Sequence, residues 1–288
     1  MADINSPRPQ GPTEGTGVAV LSDIHGVLPA LEAVLAEPDV RAAGRIVLTG
    51  DLLAGPLPRQ TLDLLHGLGD RAVWISGNAD REMAALRTGK EDDPADPVGL
   101  WAADQLRPDD LDFLRSLPAT ATLEVAGLGP VLFCHATPRD DEEMVLVDSR
   151  PERWAEVLKE VPDAVRTVVC GHTHMPYVRF THGRLVVNPG SVGMPYGRPG
   201  AHWALLGPGG GAVTLRHTPF DYDTACARIA RESRYPSAAA WADTYVRARH
   251  SAEEALAAFG PGDGRAAEGR AAEGRAAEGR AAEGRTAD

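Results

Sequence analysis

Cysteine is scarce in this chain: three among 288 residues, at positions 134, 170 and 226. No two form a CxxC pair, which argues against a zinc ribbon, and an odd, scattered trio argues against a disulfide scaffold. Cys134 and Cys170 lie inside apolar runs and read as small core residues in a reducing compartment. Long apolar runs are missing too. Nothing approaches the ~20 residues needed to span a bilayer, and the polar start "MADINSPRPQGPTEG" lacks the apolar stretch of a secretory signal. These absences predict a cytoplasmic location and no membrane partner. Positive charge is also in deficit, with 29 Lys and Arg against 41 Asp and Glu. A net charge of −12 disfavours non-specific contact with nucleic acid or anionic lipid. If the chain binds phosphate, the positive charge must be local.

What is present suits an ordinary globular protein: 43% hydrophobic and 24% charged residues. Residues 1–16 read as a disordered leader. From 17 onwards, short Val/Leu/Ile runs at 17–22, 44–50 and 71–77 alternate with amphipathic stretches at 28–37, 57–68 and 79–89. Strand, helix, strand, helix, strand in short order predicts parallel βαβ units. Residues 90–97 are an acidic, proline-broken loop, and a short helix is expected around 108–118. The second half is β-rich: a hairpin about the glycines at 127 and 129, a helix at 150–162, then "AVRTVVCG", "YVRFTHGRLVVNPG", "HWALLG" and "AVTLRHT". Two packed sheets with helices outside both satisfy the pattern. Residues 221–259 read as a helical extension. Residues 260–288 read as a tail, because "AAEGR" recurs four times with no large apolar side chain to bury.

The chemistry gathers at strand ends. "SDIHG" supplies Asp23 and His25, "TGD" supplies Asp51, "SGNAD" supplies Asn78 and Asp80, "VLFCHAT" supplies His135, and "CGHTH" supplies His172 and His174. Taken singly, each has an ordinary role: Asp23 as a helix cap, Asn78 as a turn residue, His135 as a core histidine. Jointly they deliver metal-competent groups from five strands to the edge where α/β sheets bind ligands. Alternate residues of an extended segment point the same way, so Asp23 with His25, and His172 with His174, form two-tooth clamps. Asp23, His25, Asp51, Asn78, His135, His172 and His174 are too many for one transition metal and suit two. An all-nitrogen-and-oxygen set favours Mn or Fe, with Zn acceptable, over softer metals. Two divalent cations outweigh two carboxylates and a hydroxide, leaving a positive cleft for an anionic phosphoester. A hydroxide bridging the cations would attack phosphorus in line.

The ordered series DxH, GD, GNxD, H and GHxH, followed by "NPGSVGMP" at 188–195, resembles the calcineurin-like metallophosphoesterases, in particular their small bacterial phosphodiesterase-like branch. The resemblance spans roughly 17–216. It implies a metallophosphoesterase domain over 17–220 with a four-layer αββα sandwich of two mixed sheets. It implies Asp23, His25, Asp51 and His174 around one metal, and Asp51, Asn78, His135 and His172 around the second. Asp51 would bridge, and Asp51, Asn78 and His135 are the expected catalytic residues, with a metal-bridging hydroxide as nucleophile. One position departs: many relatives carry GNH[DE], whose histidine assists the leaving group, and here Ala79 stands in that place. Asp80 is then free to hold the loop or to pair with Arg81. Arg139, Tyr196 and Arg198 are candidates for substrate phosphate, and Ser191 reads as a loop-stabilising hydrogen bonder. The expected partner is a small phosphoester, either a phosphodiester or a nucleotide. Two alternatives remain: a metal-free scaffold like the retromer subunit that resembles these proteins, and a protein phosphatase.

Overall fold

The computed structural model describes residues 16–86, 97–207 and 213–263. The leader apart from Thr16, the acidic loop apart from Pro97, and the AAEGR repeats lie outside them.

Ten strands occur among these residues: β1 Val18–Leu21, β2 Arg45–Leu48, β3 Ala72–Trp74, β4 Thr120–Val125, β5 Gly129–Cys134, β6 Thr167–Val169, β7 Tyr177–Thr181, β8 Arg184–Asn188, β9 Ala201–Leu206 and β10 Val213–Thr218. They form two five-stranded sheets, ordered β10-β9-β1-β2-β3 and β4-β5-β6-β8-β7. In the first, β1, β2 and β3 run parallel, β9 pairs antiparallel with β1, and β10 pairs antiparallel with β9. In the second, β5, β6 and β8 are parallel, with antiparallel β4 and β7 at the edges. Both sheets are mixed, as expected.

The short Val-rich strands form because both of their faces are buried. Along β1, Val18 and Val20 enter the layer between the sheets, where they meet Val47, Phe133, Val169 and Val187. Ala19 and Leu21 face the other way, onto Leu31 and Val34 of the helix Leu28–Ala36. On the far side, Val168 and Val186 pack under Trp154 and Val157 of the helix Pro151–Val157. Helix, sheet, sheet, helix is the predicted sandwich. Pro38, Pro58, Pro97, Pro108 and Pro151 each open a helix, where a missing N–H and a fixed φ cost nothing. The helix Pro97–Gln105 was not anticipated. Its Ala102 and Ala103 are buried but carry little hydrophobic signal.

The stretch read as one helical extension is broken. It comprises Tyr222–Glu232, Ala238–Ala242 running into a π turn at Asp243–Arg247, and Ala252–Phe259. Ser251 restarts the last piece with a reciprocal capping box to Glu254. Ile229, Trp241 and Val246 pack with the helices over the first sheet, whereas Ala255 joins the cluster over the second. Four residues of the expected tail, Gly260 to Asp263, are among those described. Gly260–Asp263 forms a 3-10 turn, and Asp263 is buried and accepts a 2.7 Å hydrogen bond from the Ser149 hydroxyl. Among the described residues no helix is long and apolar enough to cross a membrane.

Candidate metal centre

The turns after β1, β2 and β6 are held in an unusual backbone state. Asp23, His25, Asp51, His172 and His174 have φ values of 53°, 48°, 54°, 66° and 53°. Among the described residues, the one other non-glycine residue with positive φ is His182. The left-handed region costs an L side chain on the order of 1–2 kcal/mol, and such strain concentrates at functional sites. Asp23 and His25 therefore do not converge through extended alternation, as the sequence spacing suggested. They converge because two left-handed residues flank Ile24 and fold the loop back. Main-chain bonds hold the turn, from Asp23 N–H to the Gly50 carbonyl at 3.0 Å and from His25 N–H to the Asp51 carbonyl at 2.9 Å. Close approach demands glycine here. A Cβ on Gly171 would lie 1.9 Å from Ser22 Oγ and 2.7 Å from Asp23 Oδ2.

The strand ends bring the six charged or imidazole candidates into two buried triads. Asp23, His25 and His174 form one, Asp51, His135 and His172 the other, and within each the potential ligand atoms lie within 4.8 Å of one another. Each histidine sets one ring nitrogen against a main-chain carbonyl: His25 Nδ1 on Ala54 at 3.2 Å, His135 Nδ1 on Thr49 at 2.8 Å, His172 Nε2 on Glu142 at 3.2 Å, and His174 Nδ1 on Met194 at 2.9 Å. A carbonyl only accepts, so those nitrogens carry the proton and the opposite nitrogens present lone pairs. His25 Nε2 and His174 Nε2 then face each other at 3.2 Å, and His135 Nε2 faces Asn78 Oδ1 at 3.1 Å.

The carboxylates are arranged alike. Asp23 Oδ2 accepts from the Ser22 hydroxyl and from His172 N–H. Its Oδ1 is buried without a hydrogen-bond donor and lies 3.3 Å from His174 Nε2. Asp51 Oδ1 accepts from Ala79 N–H at 2.9 Å. Its Oδ2 lies 3.8 Å from His25 Nε2 of one triad and 3.4 Å from His135 Nε2 of the other. Facing lone pairs and an orphaned carboxylate oxygen are costly in a buried site unless a cation stands between them. The residues therefore fit a pair of metal ions, with Asp51 Oδ2 between the two triads.

Without cations, protons compensate. Burial alone would lower the His135 pKa, but the Asp51 carboxylate pushes it up to about 10. Burial likewise works against His174, and Asp23 outweighs it and raises that pKa. Burial and the neighbouring His135 lower His172 to about 4, and burial, with His174 nearby, lowers His25.

Asn78 opens the helix Asn78–Leu86. Its Oδ1 is directed at His135 Nε2, 3.1 Å away. Asp80 is fully buried and does not pair with Arg81. Its two oxygens accept Leu52 N–H at 3.0 Å and Gly77 N–H at 3.1 Å, so it clips together the loops that carry Asp51 and Asn78. Burial and the Asp51 charge push its pKa up to about 7. Arg81 pairs instead with Asp141 and Glu142. Ser191 is the loop brace expected of it, donating to the Asp23 carbonyl at 2.7 Å and accepting from Met194 N–H. Asn188 went unnoticed in the sequence. Its amide donates to the Gly171 carbonyl and the Thr173 hydroxyl, and it is legible only as part of the "NPGS" run.

The three candidate substrate contacts separate. Tyr196 is beside the cluster, with its ring 6.3 Å from that of His174 and its N–H on the His174 carbonyl. Arg139 is not brought to the cluster; it is committed to the carboxylates of Glu143 and Glu156. Arg198 is exposed, and its carbonyl serves His202.

Residues 17–207 match the calcineurin-like phosphoesterase superfamily domain. The chain belongs to that superfamily. An uncharacterised protein of Methanocaldococcus jannaschii is 30% identical over 62% of this chain and 76% of its own length. A protein of Thioalkalivibrio sulfidiphilus named symmetrical bis(5'-nucleosyl)-tetraphosphatase is 28% identical over 66% of this chain and 77% of its own. A metallophosphoesterase structure from Sphaerobacter thermophilus superposes with a TM-score of 0.61 at 25% identity, covering 75% of this chain and 94% of that one.

Proposed function

We infer that this calcineurin-like phosphoesterase is a dinuclear metal-dependent hydrolase of phosphodiesters or small nucleotide phosphoesters. One observation carries the reading: two buried triads with the second oxygen of Asp51 between them. The 28% identical relative named as a bis(nucleosyl)tetraphosphatase supports a small nucleotide over a phosphoprotein. In this reading Asp23, His25, Asp51 and His174 hold one cation and Asp51, Asn78, His135 and His172 the other, Mn or Fe being preferred by the imidazole and carboxylate donors. Two such cations supply Lewis acidity toward phosphoryl oxygens and lower the pKa of water.

The chain's own contribution is preorganisation. The four carbonyl-anchored histidines cannot turn away. Asp51 is fixed through Ala79 N–H and Asp23 through Ser22 and His172 N–H, so no reorganisation is needed as charge develops. No histidine follows Asn78 to protonate a departing oxygen, which favours substrates whose leaving group is already stable, such as an aryl oxide or a pyrophosphate.

A Mn²⁺-supplemented panel of dinucleoside polyphosphates, cyclic nucleotides, phosphodiesters and phosphomonoesters tests the reading. Hydrolysis that follows bound metal and is lost in Asp51→Asn is the expected result. A protein that binds no metal and turns over none of the panel would leave the scaffold alternative standing.

A further inference from the structure

Beyond the family match, one helix ends in an aromatic ring at the candidate metal centre. The helix Ala252–Phe259 crosses to the second sheet and places the Phe259 ring 6.4 Å from that of His172 and 6.5 Å from that of His174, one histidine from each triad. Tyr196 completes a corner. Its ring is 5.8 Å from Phe259 at an interplanar angle of 81°.

We propose that Phe259 and Tyr196 form a specificity subsite for a flat aromatic group, a nucleobase or an aryl ring, carried by the phosphoester held at the metal centre; this rests on the phosphoesterase reading above. Two perpendicular rings offer a planar guest one face and one edge, the geometry that aromatic groups prefer. Stacking on such a ring discriminates flat from non-flat groups while tolerating different bases. The corner is built to stay in place. Ser251 and Glu254 cap the helix reciprocally, Ala255 is fully buried, and Asp263 is tied to Ser149 just past the ring. Tyr196 is clipped to the same segment, with Gly197 N–H bonded to the His250 carbonyl at 2.7 Å. Ala255 is fully buried in the cluster over the second sheet; Phe259 and Tyr196 pack against that cluster yet stay half-buried, and Phe259 also borders the imidazoles.

The test measures equilibrium binding of AMP, phenylphosphonate and methylphosphonate to the Mn²⁺-supplemented full chain, with hydrolysis assayed in parallel. Phe259→Leu keeps apolar bulk but removes the ring. It should weaken AMP or phenylphosphonate at least about tenfold more than methylphosphonate, the scale of one lost base–aromatic stack. Selective weakening of AMP alone assigns a nucleobase, and of both assigns any flat ring. In Phe259→Trp the new indole emission should be quenched by the aromatic ligands and not by methylphosphonate, a readout that stands if the leucine variant folds poorly. Equal weakening of all three ligands, or no aromatic preference in the unsubstituted chain, overturns the subsite. A protein that hydrolyses nothing yet shows the selective loss keeps the subsite and refutes the activity; one that hydrolyses without the loss does the reverse.

Discussion

The main-chain N–H of Ala79 donates to Asp51 Oδ1 at 2.9 Å. The position that departs from the family pattern is thus tied to the carboxylate at the middle of the site, through an atom that any side chain there would leave in place. Asp51 keeps one oxygen fixed and the other between the triads. Asp51→Asn replaces one of these oxygens with an N–H₂, which either loses the Ala79 bond or turns a donor toward the cations. Bound metal should fall below two equivalents and turnover by ~10²–10³ or more, the scale of losing one preorganised electrostatic group. Metal analysis alongside hydrolysis of bis-p-nitrophenyl phosphate checks both.

The methyl of Ala79 is buried in an apolar cluster, so nothing there protonates a leaving oxygen. Aryl phosphoesters should be hydrolysed ~10²–10⁴-fold faster than alkyl ones, the size of a missing general acid. Equal rates on p-nitrophenyl and methyl esters would sink this. Ala79→His should narrow the gap and, because it enlarges a packed side chain, lower the melting temperature.

Chelation should destabilise the protein, because it leaves only protons to offset the buried carboxylates and facing imidazoles. The loss should depend on pH. In the metal-free state His135 has its pKa raised to about 10 by Asp51 despite burial, above its unfolded value of ~6.5. A raised folded pKa contributes stability that is full below the unfolded value and is lost as pH rises through the folded one. Melting temperatures of chelated protein should therefore fall between pH 7 and pH 10, and those of Mn²⁺-loaded protein should fall less. Parallel slopes would contradict the arrangement.

Asp80 accepts from main-chain N–H groups, and Asp80→Ala removes the acceptor of two buried ones, on Leu52 and Gly77. An unsatisfied buried donor costs about 1–3 kcal/mol, and loss of supporting bonds weakens metal sites ~10–100-fold. Calorimetric metal titration and thermal melts should both register the change, with Asp80→Asn intermediate because one acceptor oxygen remains. An unaltered metal affinity would reduce Asp80 to a purely structural residue.

Gly171→Ala is expected to be severe. Its Cβ would sit 1.9 Å from Ser22 Oγ, and the collision displaces either the brace on Asp23 or the turn that carries His172. Metal occupancy should drop even if the fold survives, which circular dichroism and metal analysis on one sample would separate.

Much of this protein was legible in one dimension. Strand, helix and motif order are local properties. Val-rich segments buried on both faces and Asp, Asn and His at their carboxyl ends sufficed to place the sandwich and nominate Asp23, His25, Asp51, Asn78, His135, His172 and His174. Tertiary structure alone decided how those side chains meet. Left-handed backbone at Asp23 and His25, carbonyl anchors that choose each imidazole's free nitrogen, and the clips from Asp80 and Asn188 all involve partners distant in sequence. It also turned Arg139 to Glu143 and Glu156 and brought Phe259 beside His174. The reason is physical. Composition and periodicity encode what each segment will bury, whereas the direction of a polar side chain depends on which donors and acceptors the rest of the chain sets around it.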